Sequence, residues 1–351
     1  MKKKWMIYGA NGYTGRLIAQ AAKQRGLRPI LAGRNRATIE ALAADTGFES
    51  RVFELSDHAA LLKGLKDVAI VLHCAGPFSA TSQPMIEGCL ESGCHYLDIT
   101  GEISVFANAQ KQSDEAMRAD VVLMPGAGFD VVPTDCLAAT LVKALPAATS
   151  MALAFESGGS MSPGTAKTSI EGLAGGGCVR ENGKLKWVPL AWKTREIRFR
   201  HGKRLAVTIP WGDVFTAYIS TGVPDIEVYM AVPPSYILRM KRLRMVKPLL
   251  SMQWVQNMMK RRVEKAVTGP DPGERENSQM QLWGEVKSAD GRSVSATMTT
   301  PDGYDVTVTA SLGIVEYLLK NDVEGGFYTP SLLMGEDYAT RLPGVSMTIN
   351  T

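Results

Sequence analysis

The chain contains no run of about 18 apolar residues, so no transmembrane helix is expected. Cysteine is scarce: Cys74, Cys89, Cys94, Cys136 and Cys178 are the five in 351 residues. Their odd number and the absence of C-x-x-C spacing exclude a disulfide scaffold and a zinc site of paired cysteines. Reduced thiols in a cytoplasmic protein are expected instead, most of them small buried hydrophobes. His58, His73 and His201 are too scattered for metal ligands, so no metal site is predicted. Internal repeats and low-complexity tracts are absent, as is any nucleic-acid-binding motif. The opening Met-Lys-Lys-Lys resembles the start of a secretory leader. The apolar run behind it breaks at Gly9-Ala10-Asn11, however, and no signal peptide is expected.

What is present fits a globular protein with room for two cores. Hydrophobic residues make up 45% and charged residues 21%, ordinary values for that class. Candidate strands at Trp5–Tyr8, Arg28–Ala32, Arg51–Glu54, Ala69–Cys74, Tyr96–Ile99 and Val121–Pro125 alternate with candidate helices at Gly15–Arg25, Arg36–Thr46, His58–Leu65, Gln83–Ser92 and Val105–Arg118. That alternation predicts an α/β fold with a doubly wound parallel sheet, a Rossmann domain, over residues 1–132. From Pro133 the pattern changes. A helix over Pro133–Leu145 and a strand over Ala152–Glu156 lead into a glycine-rich stretch, 157–177, read as loop. Extended segments at Leu205–Ile209, Phe215–Ser220 and Ile226–Ala231 follow. A hairpin at Gln281–Lys287 and Ser293–Thr299 turns at Asp290-Gly291, and a helix spans Tyr304–Lys320. An inserted α+β domain with a mixed, mostly antiparallel sheet is therefore expected over 133–324, for substrate binding and dimerisation. Residues 325–351 are candidates for completing the first domain.

The first strand runs into Gly9-Ala10-Asn11-Gly12-Tyr13-Thr14-Gly15, and helix-forming sequence follows at once. Strand, glycine turn and helix form the phosphate-binding start of a dinucleotide fold. Gly9 allows the tight turn, Gly12 the approach of a pyrophosphate and Gly15 close helix–strand packing. The helix N-terminus offers free N–H groups to the phosphates. At the end of the second strand, Gly33-Arg34-Asn35-Arg36 lacks the Asp or Glu that usually binds a ribose 2′-hydroxyl. Arg34 is suited instead to pair with a 2′-phosphate, because guanidinium is planar, permanently charged and bidentate. NADP(H) is therefore expected in preference to NAD(H). The competing reading makes Arg34 and Arg36 solvated charges opening the next helix.

Net charge is +4, unevenly placed. Residues 235–266 hold nine basic residues against Glu264 alone, which leaves the rest of the chain at −4. Five methionines and Trp254 lie in the same window, and Pro248 is expected to split it into two helices. One reading is a Met-rich core face with a solvated basic face. The other is a lid, or a surface meeting an acidic partner or membrane headgroups.

Three further stretches lie where predicted strands end: Ala75-Gly76-Pro77-Phe78, and Cys94 to Glu102 and Pro125 to Asp135, which both carry carboxylates. Ligands of doubly wound sheets bind at that edge. With G-A-N-G-Y-T-G, A-G-R-N, A-G-P-F, Y-L-D-I-T-G-E and P-G-A-G-F-D-V-V-P-T-D in this order, the chain resembles the saccharopine-dehydrogenase-like NAD(P)-binding oxidoreductases, and among them the trans-acting enoyl reductases of lipid and polyketide assembly. The resemblance is specific over about the first 140 residues and loose beyond. It implies that Gly9, Asn11, Gly12, Tyr13, Thr14 and Gly15 hold the pyrophosphate, that Arg34 and Asn35 hold the adenosine end, and that Ala75, Gly76, Pro77 and Phe78 border the nicotinamide. Hydride transfer asks the protein mainly for position and a proton source. Asp98, Glu102, Asp130 and Lys167 are the candidates for catalysis, with His95 and Tyr96 behind them. Asp98 and Asp130 equally suit helix caps or loop ties, and Lys167 equally suits an anchor for an acidic substrate group.

The expected function is an NADP(H)-dependent oxidoreductase reducing a C=C or C=N bond in an acyl or amino-acid-derived small molecule, acting as a homodimer. The alternatives are a saccharopine-type imine reductase, in which Lys167, Arg180 and Arg195 would converge on a dicarboxylate, and a non-catalytic NADP-binding regulator that meets lipid or a partner protein through 235–266.

Overall fold

A computed structural model describes residues 4–156, 160–246 and 252–350. The chain forms two compact units, Met1–Val132 with Tyr304–Leu333 and Pro133–Gly303 with Met334–Thr351. The chain returns to the first unit over Tyr304–Leu333, which includes the first part of the expected 325–351, while Met334–Thr351 falls in the second unit. The long helix Gly303–Lys320 belongs there because its apolar side, including Val306, Leu312, Ile314 and Val315, is buried. The last strand, Ser346–Asn350, instead pairs within the second unit.

In the first unit six strands, β1 (Lys4–Tyr8), β2 (Ile30–Gly33), β3 (Ser50–Val52), β4 (Val68–His73), β5 (His95–Asp98) and β6 (Val122–Met124), alternate with helices α1 (Tyr13–Gln24), α2 (Arg36–Thr46), α3 (His58–Leu65), α4 (Phe78–Ser92), α5 (Ile103–Lys111) and α6 (Ser113–Ala119). All pairings are parallel, in the order β6-β5-β4-β1-β2-β3, with the two-residue strand Gly326–Phe327 added beside β6. Helices cover the faces, so β1, β4 and β5 are almost continuously buried, as their Val/Ile/Leu-rich sequences require. Two helix boundaries depart from the sequence reading. α4 begins at Phe78 rather than Gln83, and Pro84 lies inside it. The expected helix Val105–Arg118 is two helices meeting at Gln112.

The second unit carries a mixed nine-stranded sheet. Its path joins β10 (Thr194–Phe199), β11 (Gly202–Thr208), β12 (Asp225–Ala231), β7 (Ala148–Glu156), β13 (Gln279–Ser288), β14 (Ser293–Pro301) and Ser346–Asn350, with β8 (Gly177–Glu181) and β9 (Lys184–Val188) off the path. Among the described residues, only β12 and β7 pair in parallel in this sheet. Gly284 on β13 lets the helix Val132–Ala144 approach: a Cβ there would lie 2.7 Å from Leu141 Cδ1.

Two expectations fail in this unit. Phe215–Ser220, read as strand for its aromatic and branched residues, lies within the helix Asp213–Thr221, which Gly222 ends in a left-handed conformation at φ 73°. Its residues 213–217 are all buried, so tertiary packing overrides the strand preference. The stretch read as loop contains the helix Pro163–Gly175, opened by Ser162 accepting from Thr165 N–H with Pro163 at the first helical position. Residues 157–159 and the expected break at Pro248 lie outside the described residues. On either side of that break stand the helices Pro234–Leu243 and Gln253–Ala266. Of the five methionines in this window Met240 is buried and Met259 half-buried, whereas Met245, Met252 and Met258 are exposed, so the core-face reading holds only in part.

Candidate functional site

Parallel pairing brings the carboxyl ends of β1, β2, β4, β5 and β6 to one edge, where Asp98 and the loops with the glycine turn, Arg34, Ala75 to Phe78, Glu102 and Asp130 lie, whereas His95 opens β5 at the other end. After β1, Gly9 stands at φ 82°, and a Cβ there would fall 2.7 Å from Ala75 N. A Cβ on Gly15 would lie 2.4 Å from Gly9 O and 2.8 Å from Ala10 Cα. These two glycines are steric requirements of the turn. Gly12 N–H donates to Gly9 O at 3.0 Å, and Gly12 is the N-cap of α1 without a capping side chain. The N-terminus of α1, with its partial positive charge, faces the glycine turn as a place for an anion. Arg16 Nε donates to Asn11 O at 3.0 Å and fixes the loop from outside. Tyr13 meets Tyr304 edge to face at 4.9 Å between centroids, and Thr14 is half-buried in the first turn of α1.

After β2, Asn35 caps α2, its Oδ1 accepting from Thr38 N at 3.1 Å. That gives Asn35 a structural task at the position expected to meet adenosine. The two arginines differ. Arg36 pairs with Glu40 at 2.8 Å, whereas Arg34 is exposed and makes no hydrogen bond or ion pair among the described residues. The arrangement fits a 2′-phosphorylated dinucleotide: a glycine cradle, a helix N-terminus without a side-chain cap and one uncommitted guanidinium.

After β4, the Ala75-Gly76-Pro77-Phe78 segment includes a cis Gly76–Pro77 peptide. It is held from two sides. Thr81 Oγ1 donates to Ala75 O at 2.7 Å and Pro77 O at 3.1 Å, and Thr81 Oγ1 also lies 3.0 Å from His73 Nε2. Because the hydroxyl donates to the carbonyls, it accepts from His73, which places the imidazole proton on Nε2. His73 is fully buried among the rings of Tyr8, Phe78 and Tyr96, and burial pushes its pKa down to about 3, so the ring is neutral. From the other side, Glu102 caps α4, accepting from Phe78 N at 3.0 Å and Ser79 N at 2.7 Å.

Asp98 ends β5 in register with His73. Its carboxylate accepts from Tyr96 Oη at 2.6 Å, Thr100 N at 2.9 Å and Gly126 N at 2.9 Å, tying the loops after β5 and β6 together. Burial raises its pKa to about 6, against the lowering effect of these bonds. Asp130, in the loop after β6, packs against Gly101: a Cβ on that glycine would lie 3.1 Å from Asp130 Oδ2. Burial raises Asp130 to about 7. His95 accepts from Val122 N at 3.0 Å through Nδ1, a bond between β5 and β6.

Lys167 stands in the second unit, half-buried on the helix Pro163–Gly175. Arg180 and Arg195, the other candidate anchors for a dicarboxylate, are already engaged. Buried Arg180 donates to Val214 O at 2.8 Å and Gly183 O at 2.7 Å and lies 4.1 Å over the Tyr218 ring. Arg195 pairs with Glu285 at 2.5 Å and lies 4.7 Å over Trp283. Among the described residues there is no cluster of metal-ligand type, and no helix is long and apolar enough to cross a membrane.

Sequence reasoning missed His73 and Thr81 as holders of the loop after β4. A separation of eight residues, strand end to helix, carries no motif, and only the A-G-P-F between them marks the place.

Comparison with known proteins agrees with this geometry. The model of the saccharopine dehydrogenase NADP binding domain matches residues 5–124. A saccharopine dehydrogenase-like oxidoreductase of Homo sapiens is 25% identical over 152 residues, covering 37% of this chain and 35% of that protein. A trans-acting enoyl reductase of Mycobacterium ulcerans is 30% identical over 141 residues, covering 37% of this chain and 33% of that protein. The matched part thus spans about a third of the length of these curated relatives. In fold, the chain is similar to an apo saccharopine dehydrogenase (L-Glu forming) of Saccharomyces cerevisiae, with a TM-score of 0.65 at 11% identity over 99% of this chain and 100% of that one. Residues 5–124, which hold the glycine turn, Arg34 and the loops after β4 and β5, are thus similar to the saccharopine dehydrogenase NADP binding domain.

Proposed function

We propose that the chain is an NADP(H)-dependent oxidoreductase that reduces a C=C or C=N bond in an acyl or amino-acid-derived substrate. The observation that carries this reading is the uncapped glycine turn before α1 combined with an exposed, uncommitted Arg34 where an acid would favour NAD(H). Gly9, Gly12 and Gly15 with the first N–H groups of α1 hold the pyrophosphate, and Arg34 pairs with the 2′-phosphate. Ala75 to Phe78, fixed by Thr81 and Glu102, form the wall beside the nicotinamide. When bound, the cofactor supplies the hydride. The chain supplies position and a proton.

Asp130 is the proton source in this reading. Burial brings its pKa to about 7, close to the range in which a carboxyl gives up a proton readily at neutral pH. Asp98 and Glu102 are positioning residues, since their oxygens are spent on backbone N–H groups and on Tyr96. The five free cysteines suit a reducing cytoplasm. A dicarboxylate substrate of the saccharopine type gains nothing from Arg180 and Arg195, whose guanidinium groups are engaged inside the second unit.

The test is NADPH consumption by the purified chain with α,β-unsaturated acyl thioesters and with imines formed from an amino acid and a 2-oxo acid. Asp130→Asn should lower turnover by roughly 10²- to 10⁴-fold while NADPH binding persists. Undiminished turnover in that variant would remove Asp130 from the role. A wild-type chain that neither binds NADPH nor is protected by it against heat would remove the reading as a whole.

A further inference from the structure

The helix Gln253–Ala266 has two different long sides. Val255 is buried, and the helix packs against the helix Pro163–Gly175. On another side Trp254, Asn257, Met258 and Arg261 recur at i, i+3, i+4 and i+7 and, with Arg262, line an open groove of about 400 Å³. Trp254 is 62% exposed and Met258 41% exposed, although both are large apolar side chains. The helix Pro234–Leu243 repeats the arrangement. Tyr236 and Leu238 are 50% and 58% exposed, and Arg239, Lys241 and Arg242 are exposed beside or beyond them. In both helices, exposed aromatic and aliphatic groups come first and basic groups follow. Of the thirteen large apolar side chains exposed among the described residues, six fall within 236–258, and such concentrations mark interaction surfaces where scattered single residues do not.

We infer that these two helices form a docking surface for an anionic phospholipid membrane. Charge complementarity selects this occupant. Residues 235–266 hold nine basic residues against one acid, in a chain whose remainder is acidic. Trp and Tyr are the side chains that settle at headgroup level, and Arg and Lys extend their apolar stems along the same face while their charged ends meet phosphate. A basic amphipathic helix of this kind lies in the membrane plane rather than across it. The inference is independent of the reaction the first unit performs.

The test is co-sedimentation of the full chain with vesicles of phosphatidylglycerol mixed with phosphatidylcholine, and with vesicles of phosphatidylcholine alone. Binding to the anionic vesicles only, weakening as salt rises from about 0.1 M to about 0.5 M, is expected. The double variants Trp254→Ala/Met258→Ala and Arg261→Glu/Arg262→Glu should each lower the partition at least about tenfold. Both should keep the wild-type melting temperature and its rise with NADPH, because the replaced side chains are on the surface. Absence of sedimentation, equal binding to neutral vesicles, or binding unchanged in both variants would overturn the inference. So would a wild-type dimer that Trp254→Ala/Met258→Ala converts to monomer without any vesicle binding, since a second copy would then cover the surface. Retention on a polyglutamate matrix without vesicle binding would assign it to an acidic protein and would equally overturn the inference.

Discussion

At the scale of single residues, Gly15 sets the sharpest steric limit of the glycine turn. Its missing Cβ would stand 2.4 Å from Gly9 O, with backbone on both sides and no flexible side chain to move away. Gly15→Ala should therefore push α1 from the glycine turn. The expected result is a loss of stability of about 1–3 kcal/mol in denaturant unfolding and a loss of NADPH binding. Asp130 gives a pH signature. Folding lifts its pKa from the ordinary 3.8 to about 7, so the folded chain holds this proton more tightly than the unfolded chain. The associated stability is full below about pH 4 and is lost as pH rises to about 7. Asp130→Asn should flatten that part of the stability–pH curve and leave the variant more stable than wild type at pH 8, by at most about 4 kcal/mol. Parallel curves for variant and wild type between pH 4 and 8 would show that Asp130 ionises normally.

At the scale of elements, Glu102 is best understood through α4. It lies at the end of the loop after β5, 23 and 24 residues from the N–H groups it satisfies. Glu102→Ala should cost about 1 kcal/mol with or without cofactor, as expected for a lost helix cap, and thermal melts of both forms would check this. A cap supplied by another loop has no sequence signal, so Glu102 reads as a reactive carboxylate until the fold is seen. Local chemistry was far more legible. α2 and α3 fall on the expected residues because Asn35 and Asp57 cap them from within the sequence. The helix Asp213–Thr221 did not, because Phe215, Tyr218 and Ile219 have the composition of a strand and only burial around them decides otherwise. The helix Pro163–Gly175 carried its own signals in Ser162 and Pro163, obscured by the glycines around it.

At the scale of the whole molecule, the two units differ in how readable they were. In the first, each strand–helix step is local and the parallel order follows from alternation, so motif positions in sequence became positions at one sheet edge. The second is built from distant pairings, such as β7 with β13 more than 120 residues later, which periodicity does not reveal. For the chain as a whole, saturating NADPH should raise stability by about 2.7 kcal/mol at a hundredfold excess over Kd, seen as an upward shift in melting temperature. The most direct measurement is isothermal titration of the wild-type chain and of Arg34→Ala with NADPH and with NADH. Tighter binding of NADPH by wild type is expected, with a roughly ten- to hundredfold loss for NADPH in the variant and little change for NADH. Equal affinity of wild type for the two cofactors, or an equal loss of both in the variant, would contradict the assignment of Arg34 to the 2′-phosphate.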